Sequence, residues 1–159
     1  MADRRISIDK AQDAFIEKLR DTDDGIGPFS LKVDVLAFAA SYGAMLGISK
    51  ELGETTKSPI RQDVFETNNY GDLFYLLAVH KTGKASVLGA SDEAQDERAK
   101  IFEEYAKAGL ERMEQESKGT IDFTDYVLSL VARYRPDKDK DEEESGVFPG
   151  LDLSDLLDG

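Results

Sequence analysis

Few residues of this chain could take part in chemistry, and their spacing assembles no catalytic set. Cysteine is absent, which excludes disulfides, thiolate catalysis and cysteine-based zinc sites. His80 is the single histidine; it ends an apolar stretch and is followed by Lys81. A catalytic histidine needs an ordered carboxylate and a nucleophile, and the sequence spacing offers neither. We therefore interpret His80 as a residue at a helix C-terminus, where the helix dipole favours a basic side chain.

An acidic run over residues 92–104 is the other candidate for chemistry. Its carboxylates belong to Asp92, Glu93, Asp96, Glu97, Glu103 and Glu104. Two carboxylates four residues apart on one helix face can bind a divalent cation. The basic residues Arg98, Lys100 and Lys107 are interleaved with them, which instead predicts a solvated face held by salt bridges. Since the zinc-protease, Walker A and serine-hydrolase motifs are also missing, we expect no enzymatic activity, no metal and no cofactor.

The elements that position these residues are mainly helices. The block GPFSLKVDVLAFAASYGAMLG, residues 27–47, predicts a buried helix with Ser30 as its N-cap. Hydrophobic periodicity predicts further helices over residues 10–21, 70–80, 91–117 and 121–133, the first three capped by Asp9, Asn69 and Ser91. Gly109 costs about 1 kcal/mol inside a helix, which indicates a close helix contact or a kink. The sequence thus predicts an all-α fold, a compact bundle of about five helices with room for one short N-terminal strand.

The chain changes character after residue 135. Before this point, in the last core helix, the periodicity predicts that four side chains point inward, those of Tyr126, Val127, Leu130 and Val131. Residues 136–159 then hold 2 basic and 9 acidic residues, a net charge of −7 out of −13 for the whole chain. We therefore divide the sequence into a helical domain, residues 1–135, and an acidic tail, residues 136–159, whose composition predicts disorder.

An apolar segment at residues 147–157 ends this tail. Its large apolar side chains are Phe148, Leu151, Leu153, Leu156 and Leu157. Such a segment on a charged linker is typical of a peptide that docks on a protein partner. Two other interpretations stay open, a tail that only improves solubility and an acidic segment that mimics DNA in a basic groove.

A DNA-binding alternative rests on the N-terminus. From Arg4 to Ile8 polar and apolar residues alternate as in a strand, and two helices are predicted to follow. This order is similar to a ribbon-helix-helix module, in which strands of two protomers enter the major groove. Arg4, Arg5 and Ser7 would then bind DNA, with Arg5 and Ser7 facing the bases. The other interpretation is an N-terminal arm that packs on the core, and the net charge of −13 argues against a general nucleic-acid coat.

Three blocks in fixed order carry a family resemblance. They are GPFSLKVDVLAFAASYG, PIRQDVFETNNYGDLFYLLAV and DERAKIFEEYAKAGLERM, and they fall within residues 4–133. Together they resemble the DNA phosphorothioation (Dnd system) associated protein 4 family. The resemblance implies a bacterial cytoplasmic protein, linked to DNA modification and anti-phage defence and working in a protein complex.

From the residues and the resemblance together, we expect a non-enzymatic accessory or adaptor subunit. It would bind a larger protein of the same defence system through Phe148, Leu151, Leu153, Leu156 and Leu157. Contact with DNA would be indirect, and no segment is apolar enough to suggest a membrane span. A homodimer is compatible with this expectation, and a ribbon-helix-helix regulator is the alternative.

Overall fold

The computed structural model describes residues 4–20 and 27–136, and its fold is mainly helical, as predicted. Six α-helices are present in the described residues rather than about five. They are α1 Asp13–Leu19, α2 Lys32–Leu46, α3 Gln62–Thr67, α4 Gly71–Thr82, α5 Asp92–Glu116 and α6 Phe123–Tyr134. Two strands, β1 Arg5–Ile6 and β2 Ile60–Arg61, and two 3₁₀ turns, Lys10–Gln12 and Ala85–Leu88, complete the described elements. The chain divides into two units inside α6, after Tyr126. The predicted boundary at residue 135 therefore stays a prediction.

Helices α2 and α5 form the centre of the first unit. A Cβ atom added to Gly109 would lie 1.9 Å from the carbonyl oxygen of Ala39, and one added to Gly43 would lie 2.4 Å from that of Tyr105. The two backbones approach too closely at these points for any side chain larger than hydrogen. The sequence left a close contact or a kink open at Gly109, and the structure shows the close contact.

Three phenylalanines join α3, α4 and α5. The ring centroid of Phe102 lies 4.3 Å from that of Phe74 and 5.2 Å from that of Phe65. The rings of Phe65 and Phe74 meet edge to face at 5.4 Å. All three side chains are fully buried, so this cluster holds α4 against the long helix and fixes which face of α4 stays outside.

Helix starts are predicted correctly at two of four positions. The side chains of Asp9 and Ser91 accept hydrogen bonds from the backbone N–H groups of Ala11 and Ala94, as N-caps do. Ser30 does not cap α2, which begins at Lys32 after Leu31. Asn69 does not cap α4 either, because it adopts a left-handed conformation (φ 68°) in the turn between α3 and α4.

Helix α6 is amphipathic over its described length. Tyr126, Val127 and Leu130 are buried, as the periodicity predicts. Val131 is 52% exposed, so its predicted inward position is wrong. The three buried residues cover an arc of about 100° around the helix, and Val131 lies about 40° outside it, beyond Val127.

Candidate partner-binding surface

Helix α4 presents large apolar side chains to solvent. Leu76 is 66% exposed, and Tyr75 and Val79 are 41% and 38% exposed. The spacing 75, 76 and 79 places all three on one side of the helix, opposite the buried Phe74. We call these residues together with Leu88, which is 46% exposed, the α4 surface. Apolar residues occur on every side of this helix, so an apolar face stays exposed when the opposite face packs against the core.

Arg98 of α5 fixes the geometry of the α4 surface from below. Its guanidinium carbon lies 4.3 Å from the ring centroid of Tyr75. Its Nη1 donates to the carbonyl oxygens of Val87 and Gly89, at 2.6 and 2.7 Å. One planar group therefore contacts Tyr75, Val87 and Gly89, and it holds the segment that contains Leu88 next to Tyr75 of α4.

Arg98 also corrects the interpretation of the acidic run. The sequence placed Arg98 on a solvated face, yet only 4% of the residue is exposed. Lys107 is likewise withdrawn, since its Nζ donates to Oδ2 of Asp9 at 2.6 Å with side chains 12% and 5% exposed. A solvated face does hold for Asp96, which pairs with Arg4 and has a 70% exposed side chain. Within residues 4–20 and 27–136, no three metal-ligating side chains come together as a metal site.

His80 lies in the last turn of α4, at the predicted helix end. Its Nε2 lies 3.1 Å from the carbonyl oxygen of Ala44 in α2, and its ring centroid is 6.3 Å from that of Tyr105. Lys81 follows, donating to Oγ of Ser49 at 2.9 Å and lying 5.7 Å from the centroid of Tyr105. Both side chains therefore tie the C-terminal end of α4 to its neighbours.

The residues proposed for DNA binding do not have the surroundings that a ribbon-helix-helix module requires. Strand β1 pairs in antiparallel register with β2 of the same chain, Arg5 opposite Arg61. The guanidinium of Arg4 binds Asp96 at 2.7 Å and Gln95 at 2.6 Å, both on α5. A ribbon-helix-helix strand must pair with a second protomer and present its side chains outward. The structure leaves only Arg5 of the three residues exposed, which argues against that module.

The backbone N–H of Ser7 donates to Oε2 of Glu103 at 2.5 Å. Glu103 belongs to a surface cleft of about 310 Å³, which Ser7, Glu51, Leu52, Gly53, Thr55, Lys100 and Glu104 also line. Burial raises the pKa of the Glu103 carboxyl above its ordinary value and Glu104 adds to the rise, while the hydrogen bonds from Ser7 oppose it. Ser7 therefore anchors the strand on α5.

The comparison with family models decides which family this sequence represents. The model of DNA sulphur modification system-associated protein 4 matches residues 5–149. The chain belongs to this family. No curated protein and no solved structure matches the chain. Family membership shows an association with a DNA sulphur modification system, as the three sequence blocks indicated.

The family match also corrects the extent of the resemblance. The sequence blocks placed the tail outside it, but the match continues through residue 149 and includes Phe148. The proposed partner-binding residues Phe148, Leu151, Leu153, Leu156 and Leu157 lie outside the described residues. Their role stays a prediction, whereas the α4 surface is an exposed apolar surface within the described residues. None of the helices in the described part combines the length and apolarity that a membrane span requires.

Proposed function

We propose that this chain is a non-enzymatic accessory subunit of a bacterial DNA-modification-linked anti-phage defence system. It acts as an adaptor in the cytoplasm by binding a larger protein of the same system. Family membership supports the link to the system, and the observation that carries the adaptor role is the α4 surface. DNA enters this account only through the partner.

The α4 surface has the composition of an interface centre. It consists of a tyrosine, two leucines and a valine, each more than a third exposed, and groups of exposed large apolar side chains are typical of protein interaction sites. The exposed Asp72 and Lys84 supply polar residues at either end. Interfaces are commonly apolar at the centre and polar at the rim, with tyrosine enriched.

The α4 surface is also held in place before any partner arrives. Arg98 stacks on Tyr75 and binds the carbonyl groups on both sides of Leu88. The three phenylalanines hold the other face of α4. Because this surface is already ordered, binding of a partner costs less of its conformational entropy.

The tail segment 147–157 supplies the second contact in this proposal. A pull-down from the native host compares the full-length chain with a chain that ends at Arg135. Recovery of a larger protein of the sulphur modification system by both chains would assign the contact to the helical domain. Recovery by the full-length chain alone would assign it to the tail. If neither chain recovers a protein of the system, the adaptor role is wrong.

The non-enzymatic part of the proposal rests on the position of His80. Its ring nitrogen is engaged with the Ala44 carbonyl at the end of α4, which is a packing role. An assay for nuclease and ATPase activity with Mg²⁺ or Mn²⁺ tests this part directly. We expect no turnover; turnover that copurifies with the chain would contradict this part, and its loss in a His80→Gln variant would place His80 in the active site.

The regulator alternative is tested by titration with duplex DNA over several salt concentrations. A ribbon-helix-helix protein would bind, and its affinity would fall steeply as salt rises. Arg4→Ala with Arg5→Ala would then abolish binding. We expect no binding at any salt concentration, because Arg4 is committed to Asp96 and β1 to β2.

A further inference from the structure

The exposed side of α6 carries a second row of apolar side chains. Leu128 is 60% exposed, Val131 52% and Tyr134 41%. Their three-residue spacing places them along one side of the helix, and Arg133 lies 6.0 Å from the ring centroid of Tyr134. We call Leu128, Val131 and Tyr134 the α6 stripe. It belongs to the second unit, residues 127–159, which also contains the acidic tail.

The helical part of this unit and its tail carry opposite charges. Residues 127–136 contain Arg133 and Arg135 and no acidic residue, whereas residues 137–159 hold 9 acidic and 2 basic residues. Asp152 and Asp155 are interleaved with the leucines of segment 147–157. The segment therefore combines leucines that fit an apolar stripe with carboxylates that fit the two arginines beside it.

The linker is long enough for the tail to return to α6. The ten residues 137–146 contain no apolar residue except glycine and span up to about 35 Å when extended. Helix α6 has 12 residues and is about 18 Å long. The tether also gives the segment an effective concentration on the order of millimolar near the stripe, so even a weak contact would be populated.

We propose that segment 147–157 of this chain packs over the α6 stripe when no partner is bound. Phe148 and the leucines contact Leu128 and Val131, and the carboxylates face Arg133 and Arg135. Phe148 falls within the residues that the family model matches, and the leucines of the segment lie beyond them. This inference goes beyond the proposed function, since it concerns the isolated chain. A partner that binds the same segment would have to displace it from α6.

Disulfide trapping tests this intrachain contact without background, because the chain has no cysteine of its own. The test variant carries Val131→Cys and Leu153→Cys. The matched control carries Ser129→Cys and Leu153→Cys, since Ser129 lies about 200° around the helix from Val131. Under mild oxidation of dilute protein, we expect the test pair to form an intrachain disulfide at least five times faster than the control pair. Equal rates for the two pairs, or a disulfide-linked dimer as the main product, would overturn the proposal.

A fluorescence measurement covers the case in which the cysteines disturb folding. The chain has no tryptophan, so Phe148→Trp gives a single reporter in the segment. We expect its emission to shift to longer wavelength when Leu128→Ser and Val131→Ser are added, because the indole loses its apolar surroundings. Identical emission with and without the two serines would overturn the proposal. Both measurements use the isolated protein, so their failure would leave the adaptor role untouched, and a failed pull-down would leave this contact untouched.

Discussion

The guanidinium carbon of Arg98 lies 4.3 Å from the ring centroid of Tyr75, and only 4% of Arg98 is exposed. One side of this cation–π contact is the long helix α5, and the other is the apolar surface of α4. Since the same guanidinium binds the carbonyl oxygens of Val87 and Gly89, it determines the position of Leu88 as well. A single buried cation thus positions two members of the proposed partner surface, Tyr75 and Leu88.

Replacing Arg98 should destabilise the fold. We expect Arg98→Met to lower the free energy of unfolding by about 2–3 kcal/mol, because buried carbonyl groups lose a charged donor. Arg98→Lys should recover little, since an ammonium group cannot stack on Tyr75 and bind two carbonyls in one plane. Urea denaturation measures the free energy of unfolding of both variants. Lys100→Met, at an exposed position on the same helix, should stay within about 0.5 kcal/mol of the parent. A fully stable Arg98→Lys variant would contradict this account of the arginine.

Gly109 should tolerate no side chain. Its added Cβ would lie 1.9 Å from the Ala39 carbonyl oxygen, so Gly109→Ala must push α2 and α5 apart and should cost about 3 kcal/mol or more. Gly71→Ala is the matched control at the start of α4. Its Cβ would meet Cγ of Glu66 at an ordinary 3.6 Å, and alanine should leave stability unchanged or raise it by up to about 1 kcal/mol. Urea midpoints of equal size for the two variants would show that the helices do not touch at Gly109.

The buried pair of Asp9 and Lys107 should make stability depend on acid pH. Burial alone would raise the pKa of Asp9, but hydrogen bonds from Lys107, Gly53 and Ala11 outweigh it and lower the pKa below its ordinary value. The folded carboxylate therefore binds its proton less readily than the unfolded one. Its stabilisation is complete above about pH 4 and is lost as the pH falls through the folded-state pKa.

Asp9→Asn should test that pH dependence. We expect the variant to lose about 3 kcal/mol at pH 7, because the Lys107 ammonium stays buried without its carboxylate. The loss should shrink as the pH falls below 4, because the unfolded parent chain binds the proton first and the folded carboxylate binds it at lower pH. Urea denaturation at pH 7 and pH 3 measures the difference. An equal loss at both pH values would show that the pair contributes nothing through its charge.

Glu103 should make stability change with pH in the direction opposite to that of Asp9. Burial raises its pKa, so the folded state holds this proton more tightly than the unfolded chain and loses stability as the pH rises from about 4.5 through the folded-state pKa. Glu103→Gln keeps a carbonyl oxygen that can accept from Ser7 but carries no charge. We expect it to be at least as stable as the parent at pH 7.5, by urea denaturation. A variant clearly less stable at pH 7.5 than at pH 4.5, relative to the parent, would contradict the sign.

Local patterns explain what the sequence predicted well. Asp9 and Ser91 cap helices because an acceptor side chain before a helix satisfies free N–H groups, whatever the tertiary context. Gly109 was informative because only a packing demand outweighs its helix cost. The Ser30 and Asn69 caps failed because α2 begins one residue later, after Leu31, and because Asn69 adopts a left-handed conformation in the turn before α4.

Long-range contacts account for the rest. The partner of β1 is β2, which lies more than fifty residues away, and no local pattern pairs Arg5 with Arg61. Arg98 resembled a surface residue because arginine is rarely buried, and its carbonyl and ring partners become visible only in the fold. The same holds for the α4 surface, where periodicity could not tell the exposed Leu76 from the buried Leu77.

The central claim is that the α4 surface binds a protein of the sulphur modification system. The direct measurement is quantitative recovery of that protein from the native host by tagged full-length chains. The test variant carries Leu76→Ser and Val79→Ser, and the matched control carries Val64→Ser, because Val64 is 40% exposed and Val79 38%. We predict at least a tenfold loss of recovery for the test variant and none for the control, with all chains equally folded. Undiminished recovery by the Leu76→Ser and Val79→Ser variant would contradict the account.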